Sequence, residues 1–156
     1  MREPTIKLII HGEPKSQQRH RTHHVKCKDG REFDSRYDPS TKDKAAILAQ
    51  VWDQRPDVPF TTAVRVDLNL YYPYRKEHYR SGRYSHLLKQ PAPLCHIKQP
   101  DRDNADKIIL DALSEHFWKN DSIVCDGRIR KMYSETPRTE ITITLIEETT
   151  LFDPQN

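Results

Sequence analysis

A chain of 156 residues is one ordinary domain, long enough to bury a core and too short for a Rossmann pair or a two-domain transferase. Charged residues make up 31% and the mean hydropathy is −0.91, so no apolar run can span a bilayer, and only 4 Gly are present, none in a phosphate-cradling repeat. The net charge of +3 conceals a segregation: residues 15–36 carry seven Lys/Arg against three Asp/Glu and residues 74–90 five against one, which leaves the remainder acidic.

Ile6, Leu8 and Ile10 alternate with Lys7, Ile9 and His11 as a first strand, ended by Gly12 and Pro14. A basic loop follows, with His20, His23 and His24 among its cations. From Ser40 the run to Asp43 resembles a capping box, and Ala46, Ile47, Ala49, Gln50 and Val51 place an apolar stripe on a helix that stops before Pro56. Val64, Val66, Leu68 and Leu70 alternate with Arg65, Asp67, Asn69 and Tyr71 in the clearest strand of the chain. Pro73 closes it. The second basic loop, with Tyr74, His78, Tyr79 and Tyr84, runs to about Gln99.

Asp103 is placed to cap a second helix, whose face is Ala105, Ile108, Ile109, Ala112, Leu113 and Phe117. After a polar turn at 118–121 come a strand from 122 to about 133 and another over 139–146, with Pro137 between them. The order is β-α-β-α-β-β, an α+β domain over residues 1–150 with one mixed sheet and two helices against it, followed by a polar tail over 151–156. No signal-peptide core follows Met1, and Cys27, Cys95 and Cys125 are odd in number and widely spaced. Both features fit a soluble, cytoplasmic protein with free thiols.

The stretch from Pro100 to Asn104 with Lys107, Asp111 and Asp121 gathers four carboxylates and a lysine around the start of the second helix. Read as extended chain, Asp101 and Asp103 project to one side with Cα atoms about 6.6 Å apart, and both can reach one hard cation. Clustered negative charge repels itself unless a cation neutralises it, and oxygen ligands select Mg²⁺ or Mn²⁺. Lys107, one turn from Asp103, looks back at these carboxylates, and the chemistry that results is phosphoryl transfer. Asp111 reads better as the partner of Lys107 in a surface i,i+4 pair than as a ligand, and Asn104 as ordering the turn.

These residues carry a resemblance. Lys98 to Asn104, Lys107, Asp111-Ala112-Leu113 and Trp118 to Ser122 resemble the signature of the RusA family of Holliday-junction resolvases, densely over residues 98–131 and more weakly through the Gly12 to Arg21 loop and Tyr37-Asp38-Pro39. Asn120 stands where the family often has the first of two aspartates, and Arg102 where an apolar residue is usual. The resemblance implies that Asp101, Asp103 and Asp121 are metal-binding carboxylates and Lys107 the catalytic lysine of a Mg²⁺-dependent (or Mn²⁺-dependent) endonuclease. Its substrate would be the four-way DNA junction of recombination and repair.

The basic loops with stacking-capable rings fit that substrate, with Arg19, Arg21, Arg75, Lys76, Arg80 and Arg83 holding the DNA backbone. Taken alone, either loop reads equally well as a solvated segment. Paired cuts in two symmetric strands call for a C2 homodimer. Two other classes remain open: a non-catalytic DNA-junction binder whose carboxylates only cap and pair, and a glycosyltransferase using Asp-x-Asp on a nucleotide sugar. A zinc reading of His20, His23, His24 and Cys27 lacks a convincing second half.

Overall fold

Alternating apolar and polar side chains build the sheet of this protein, whose computed structural model describes residues 4–146. Strand β4 (Val64–Pro73) lies at its centre: Val64, Val66, Leu68, Leu70 and Tyr72 are buried, while the residues between them are half-buried. β7 (Arg138–Leu145) pairs with β4 antiparallel, and β1 (Thr5–His11) pairs antiparallel with the far side of β7. On the other side of β4, β5 (Val124–Asp126) and β6 (Ile129–Ser134) run parallel to it, which completes a mixed 5-stranded sheet. Parallel pairing needs a crossover, and residues 74–123 supply it.

That crossover contains α2 (Arg102–Leu113), and α1 (Thr41–Val51) packs beside it. Ala105, Ile108, Ile109, Ala112 and Leu113 of α2 and Ile47 and Val51 of α1 enter one core with Leu8, Ile10, Ile141 and Ile143 of the sheet. Each fully buried Ile or Leu contributes about 1.5–3 kcal/mol. The α+β class, the mixed sheet and the two helices are therefore as the sequence pattern indicated. The tail expected at 151–156 lies outside the described residues, as do the ends of the 1–150 domain.

The structure differs from the sequence reading in several places. The first basic loop contains a separate 2-stranded sheet, in which β2 (Arg21–Lys26) pairs antiparallel with β3 (Glu32–Tyr37) around Gly30. The strand expected over 122–133 is interrupted at Gly127, between β5 and β6, both of which run parallel to β4. A Cβ there would stand 2.1 Å from the Val66 carbonyl oxygen, so only glycine permits this approach. The capping box at Ser40 does not form. Ser40 Oγ instead accepts the Gln18 N–H at 2.8 Å and ties the basic loop to the start of α1.

Asp111 is also not the partner of Lys107. Its Oδ2 accepts from Lys44 Nζ at 2.8 Å, and the same ammonium donates to Asp38 Oδ2 at 2.8 Å. Asp38 Oδ1 accepts from Ser40 N–H at 2.8 Å and Gln17 Nε2 at 2.9 Å, so one cation joins α1, α2 and the loop between β3 and α1. The Lys44 bond holds the Asp38 carboxyl below its ordinary value. A carboxyl with a lowered folded-state pKa adds stability that is full above its unfolded value and is lost as pH falls through the folded one.

Lys44, Asp38 and Asp111 side chains are 20%, 17% and 30% exposed, between the surface and the buried case. Lys44→Met is expected to destabilise the protein by about 1–3 kcal/mol at pH 7 in urea unfolding. The difference from wild type should begin to shrink as pH falls below the ordinary carboxyl value of 3.8 and be smallest below the lowered wild-type value, where Asp38 is protonated in the folded protein as well. A difference that does not change with pH would contradict the Asp38 assignment.

Candidate active site

The backbone turns into α2 at Asp101, which occupies the N-cap position in extended conformation (φ −67, ψ 150) without a side-chain capping bond. Asp103 therefore sits in the first helical turn, not at the cap, and only Asp101 belongs to extended chain. Both carboxylates lie at the positive end of the helix dipole, where negative charge is favoured. Lys107 follows one turn after Asp103. The side chains of Asp101, Asp103 and Lys107 are exposed and make no hydrogen bond or ion pair to other described residues. The Asn104 carbonyl accepts the Gln17 N–H at 2.8 Å, so the first basic loop begins against this end of the helix.

Asp121 opens a short 3₁₀ turn (Asp121–Ile123) ahead of β5. Its Oδ1 accepts from Trp118 Nε1 at 2.7 Å, and Trp118 is fully buried, so a core residue fixes the carboxylate. Oδ2 has no partner among the described residues. Asn120 Oδ1 accepts the Ser122 N–H at 2.9 Å and is occupied with the turn. The chain reversal after α2 brings Asp121 within electrostatic range of Asp106, one turn past Asp103. Burial pushes the Asp106 carboxyl above its ordinary value, opposed by Arg102 and reinforced by the Asp121 charge. Among the described residues, no three His, Cys, Asp or Glu side chains stand close enough together to hold a metal ion.

Asp101 has a neighbour of another kind. Lys131 on β6 donates from Nζ to Lys98 O at 2.7 Å and to Pro100 O. Burial lowers the Lys131 ammonium from its ordinary value, while the Asp101 charge opposes that shift. Sequence reasoning assigned neither Asp106 nor Lys131 to the site. For Lys131 a signal exists: Ile129, Lys131 and Tyr133 have the same parity on an alternating strand, and Tyr133 is buried.

The six cations assigned to DNA are all exposed, and none forms a salt bridge with a described residue. Arg19 and Arg21 lead into and begin the hairpin, with Arg21 opposite Tyr37. Arg75, Lys76, Arg80 and Arg83 border the two short turns Lys76–His78 and Gly82–Tyr84, and Arg83 lies over the Tyr84 ring at 4.7 Å. The rings expected to stack on nucleobases are mostly committed inside the protein. Tyr74 stacks on Tyr133 at 5.3 Å and meets His78 and Tyr79 edge-on. Tyr84 is 44% exposed, with Arg83 over its ring and donating to its hydroxyl at 2.6 Å. In the first segment His24 bonds Asp34 and Glu32 at 2.9 and 3.1 Å, which does not favour the zinc reading.

Comparison with known proteins places these residues in a family. The family described as Endodeoxyribonuclease RusA matches residues 11–144, a span that contains the α2 carboxylates, Lys107, Asp121 and Lys131. The chain is also similar to the uncharacterized protein YqaN of Bacillus subtilis (strain 168), with 31% identity over 140 residues that cover 88% of this chain and 94% of that one. A match of this extent, over a helix that presents uncommitted carboxylates and a lysine, shows that the chain belongs to the RusA endodeoxyribonuclease family.

Proposed function

We propose that this protein is a Mg²⁺-dependent endonuclease that resolves four-way DNA junctions by paired, symmetric cuts. The observation that supports this most is the exposed group of Asp101, Asp103 and Lys107, free of side-chain partners among the described residues, at the N-terminal end of a helix whose opposite face is locked in the core. A helix anchored in that way holds its polar side chains steady, as a site that must position a phosphate requires.

The donor chemistry suits a hard divalent cation: aspartate oxygens without soft ligands, two carboxylates free of hydrogen bonds and a third with one oxygen open among the described residues. Asp101, Asp103 and Asp121 would hold Mg²⁺ or Mn²⁺, which supplies a bound water of lowered pKa and polarises the scissile phosphate. In this structure the three carboxylates do not stand within reach of one ion, and a bound cation would draw them together against their mutual repulsion. Lys107 offsets the charge that builds on the phosphate oxygens during in-line attack. Arg19, Arg21, Arg75, Lys76, Arg80 and Arg83 hold the backbone of the arms, which sets position and affinity and carries little sequence information. One carboxylate group per chain makes one cut, and a C2 homodimer supplies the second. Among the described residues no helix is long and apolar enough to cross a membrane.

Asp101→Asn removes charge from a ligand with almost no change in shape. Cleavage should fall at least about 100-fold, or about 2.7 kcal/mol of transition-state stabilisation, with thermal unfolding and junction binding retained. Near wild-type cleavage would remove Asp101 from the site. Neutralising Arg75, Lys76, Arg80 and Arg83 together should weaken binding to all DNA and reduce the slope of log K against log salt by about 0.9 for each lost phosphate contact. Filter binding or fluorescence anisotropy across a salt series measures this. An unchanged slope would shift the DNA contacts to residues 15–36.

A further inference from the structure

Asp101 reaches the site at the end of residues 94–100, and hydrogen bonds lace that segment to β6. The Tyr133 N–H donates to Leu94 O at 2.9 Å and the His96 N–H to Lys131 O at 3.0 Å. Lys131 then continues the lacing through its side chain, to Lys98 O at 2.7 Å and to Pro100 O. The Pro100 carbonyl belongs to the peptide unit that leads into Asp101, so the ammonium grips the backbone one bond away from the residue that carries the carboxylate.

The setting explains why a lysine and not an apolar residue occupies this inward position of β6. The Lys131 ammonium is 5.9 Å from the centre of the Tyr72 ring, and Tyr72 stacks on His96 at 4.0 Å. Tyr72 and His96 are 2% and 6% exposed, and Tyr72 Oη and His96 Nδ1 have no hydrogen-bond partner among the described residues. A cation placed there is stable only when its donors are satisfied, and the carbonyls of residues 98 and 100 do this. Burial and the charges of Lys131 and Arg75 lower the His96 imidazole from its ordinary value, so His96 stays neutral near pH 7 and adds no second cation.

We infer that Lys131 is a positioning residue for the cleavage reaction: its two bonds to the carbonyls of Lys98 and Pro100 fix the backbone that delivers Asp101. This inference rests on the reading of Asp101 as an essential carboxylate. Lys131 acts through the loop and touches neither phosphate nor metal. A displacement of about 1 Å at a reacting group can cost about 100-fold in rate, so a loosened loop should be visible in the chemical step.

The test compares Lys131→Met, which keeps the length of the stem and removes the donors, with Lys131→Arg, which restores donors and charge, and runs Asp101→Asn beside them. For Lys131→Met, single-turnover cleavage of a synthetic four-way junction at saturating protein and Mg²⁺ should fall about 10–100-fold, as for other supports of a ligating residue. Junction affinity in EDTA should stay within about twofold, since the contact is not to DNA. Amide hydrogen exchange over residues 97–104 should quicken while the sheet keeps its wild-type protection, and Lys131→Arg should recover most of the lost rate.

Wild-type cleavage by Lys131→Met beside an inactive Asp101→Asn overturns the inference and leaves the site reading standing; wild-type cleavage by both overturns the two together. Equal losses of rate and affinity mark a DNA contact or a general defect, and also overturn it. Should Lys131→Met fail to fold, the wild-type protein decides by NMR of the lysine side chains. A Lys131 ammonium protected from solvent exchange supports the inference, and one that exchanges as freely as a surface lysine contradicts it.

Discussion

Burial of five residues of α2, Ala105, Ile108, Ile109, Ala112 and Leu113, against β4 and its neighbours is the contact from which the rest of the site follows. A helix carries its faces at fixed angles, so sinking one apolar face into a sheet determines where the opposite face points. Asp103 and Lys107 are carried to solvent by that geometry, and Asp101 stands where the chain enters the helix. The same core seats Trp118, whose indole N–H holds Asp121. One hydrophobic contact thus places residues from both ends of the helical segment without any of them being buried.

Electrostatics then divide the molecule between structure and chemistry. Lys44 is committed to structure between Asp38 and Asp111, and Lys131 is committed to two backbone carbonyls. Lys107 and the six basic-loop cations are left without ion pairs to described residues. Carboxylates follow the same division: Asp38 and Asp111 are neutralised inside the fold, while Asp101 and Asp103 meet solvent at the favourable end of a helix dipole. Charges with partners stabilise the fold, and the charges without them are the ones to which the proposed chemistry is assigned.

Burial imprints a period on the sequence, and the parts of the fold with one buried face were legible for that reason. Val64 to Leu70 alternate and the α2 face repeats at helical spacing, so the sheet centre and the second helix could be read directly. The β2–β3 hairpin could not, because most of its residues are exposed on both faces and no alternation marks them. The break at Gly127 depends on how closely the chain passes Val66, a contact across the sheet that no local pattern records. Lys44 and Asp111 meet across 67 residues, whereas sequence spacing offered Lys107 as the nearer partner. The site signature itself was legible as a set of residues. Its distances were not, since they depend on the loop over 94–100 and on the reversal after α2.

The central claim, a metal-assisted nuclease that recognises branched DNA, is tested most directly by mapping the cuts that the wild-type protein makes in Mg²⁺ on a synthetic mobile four-way junction and on a linear duplex of the same sequence. The account predicts pairs of nicks placed symmetrically across the junction, little cutting of the duplex, and none of either in EDTA. Equal cutting of duplex and junction, or cutting that persists in EDTA, would contradict it.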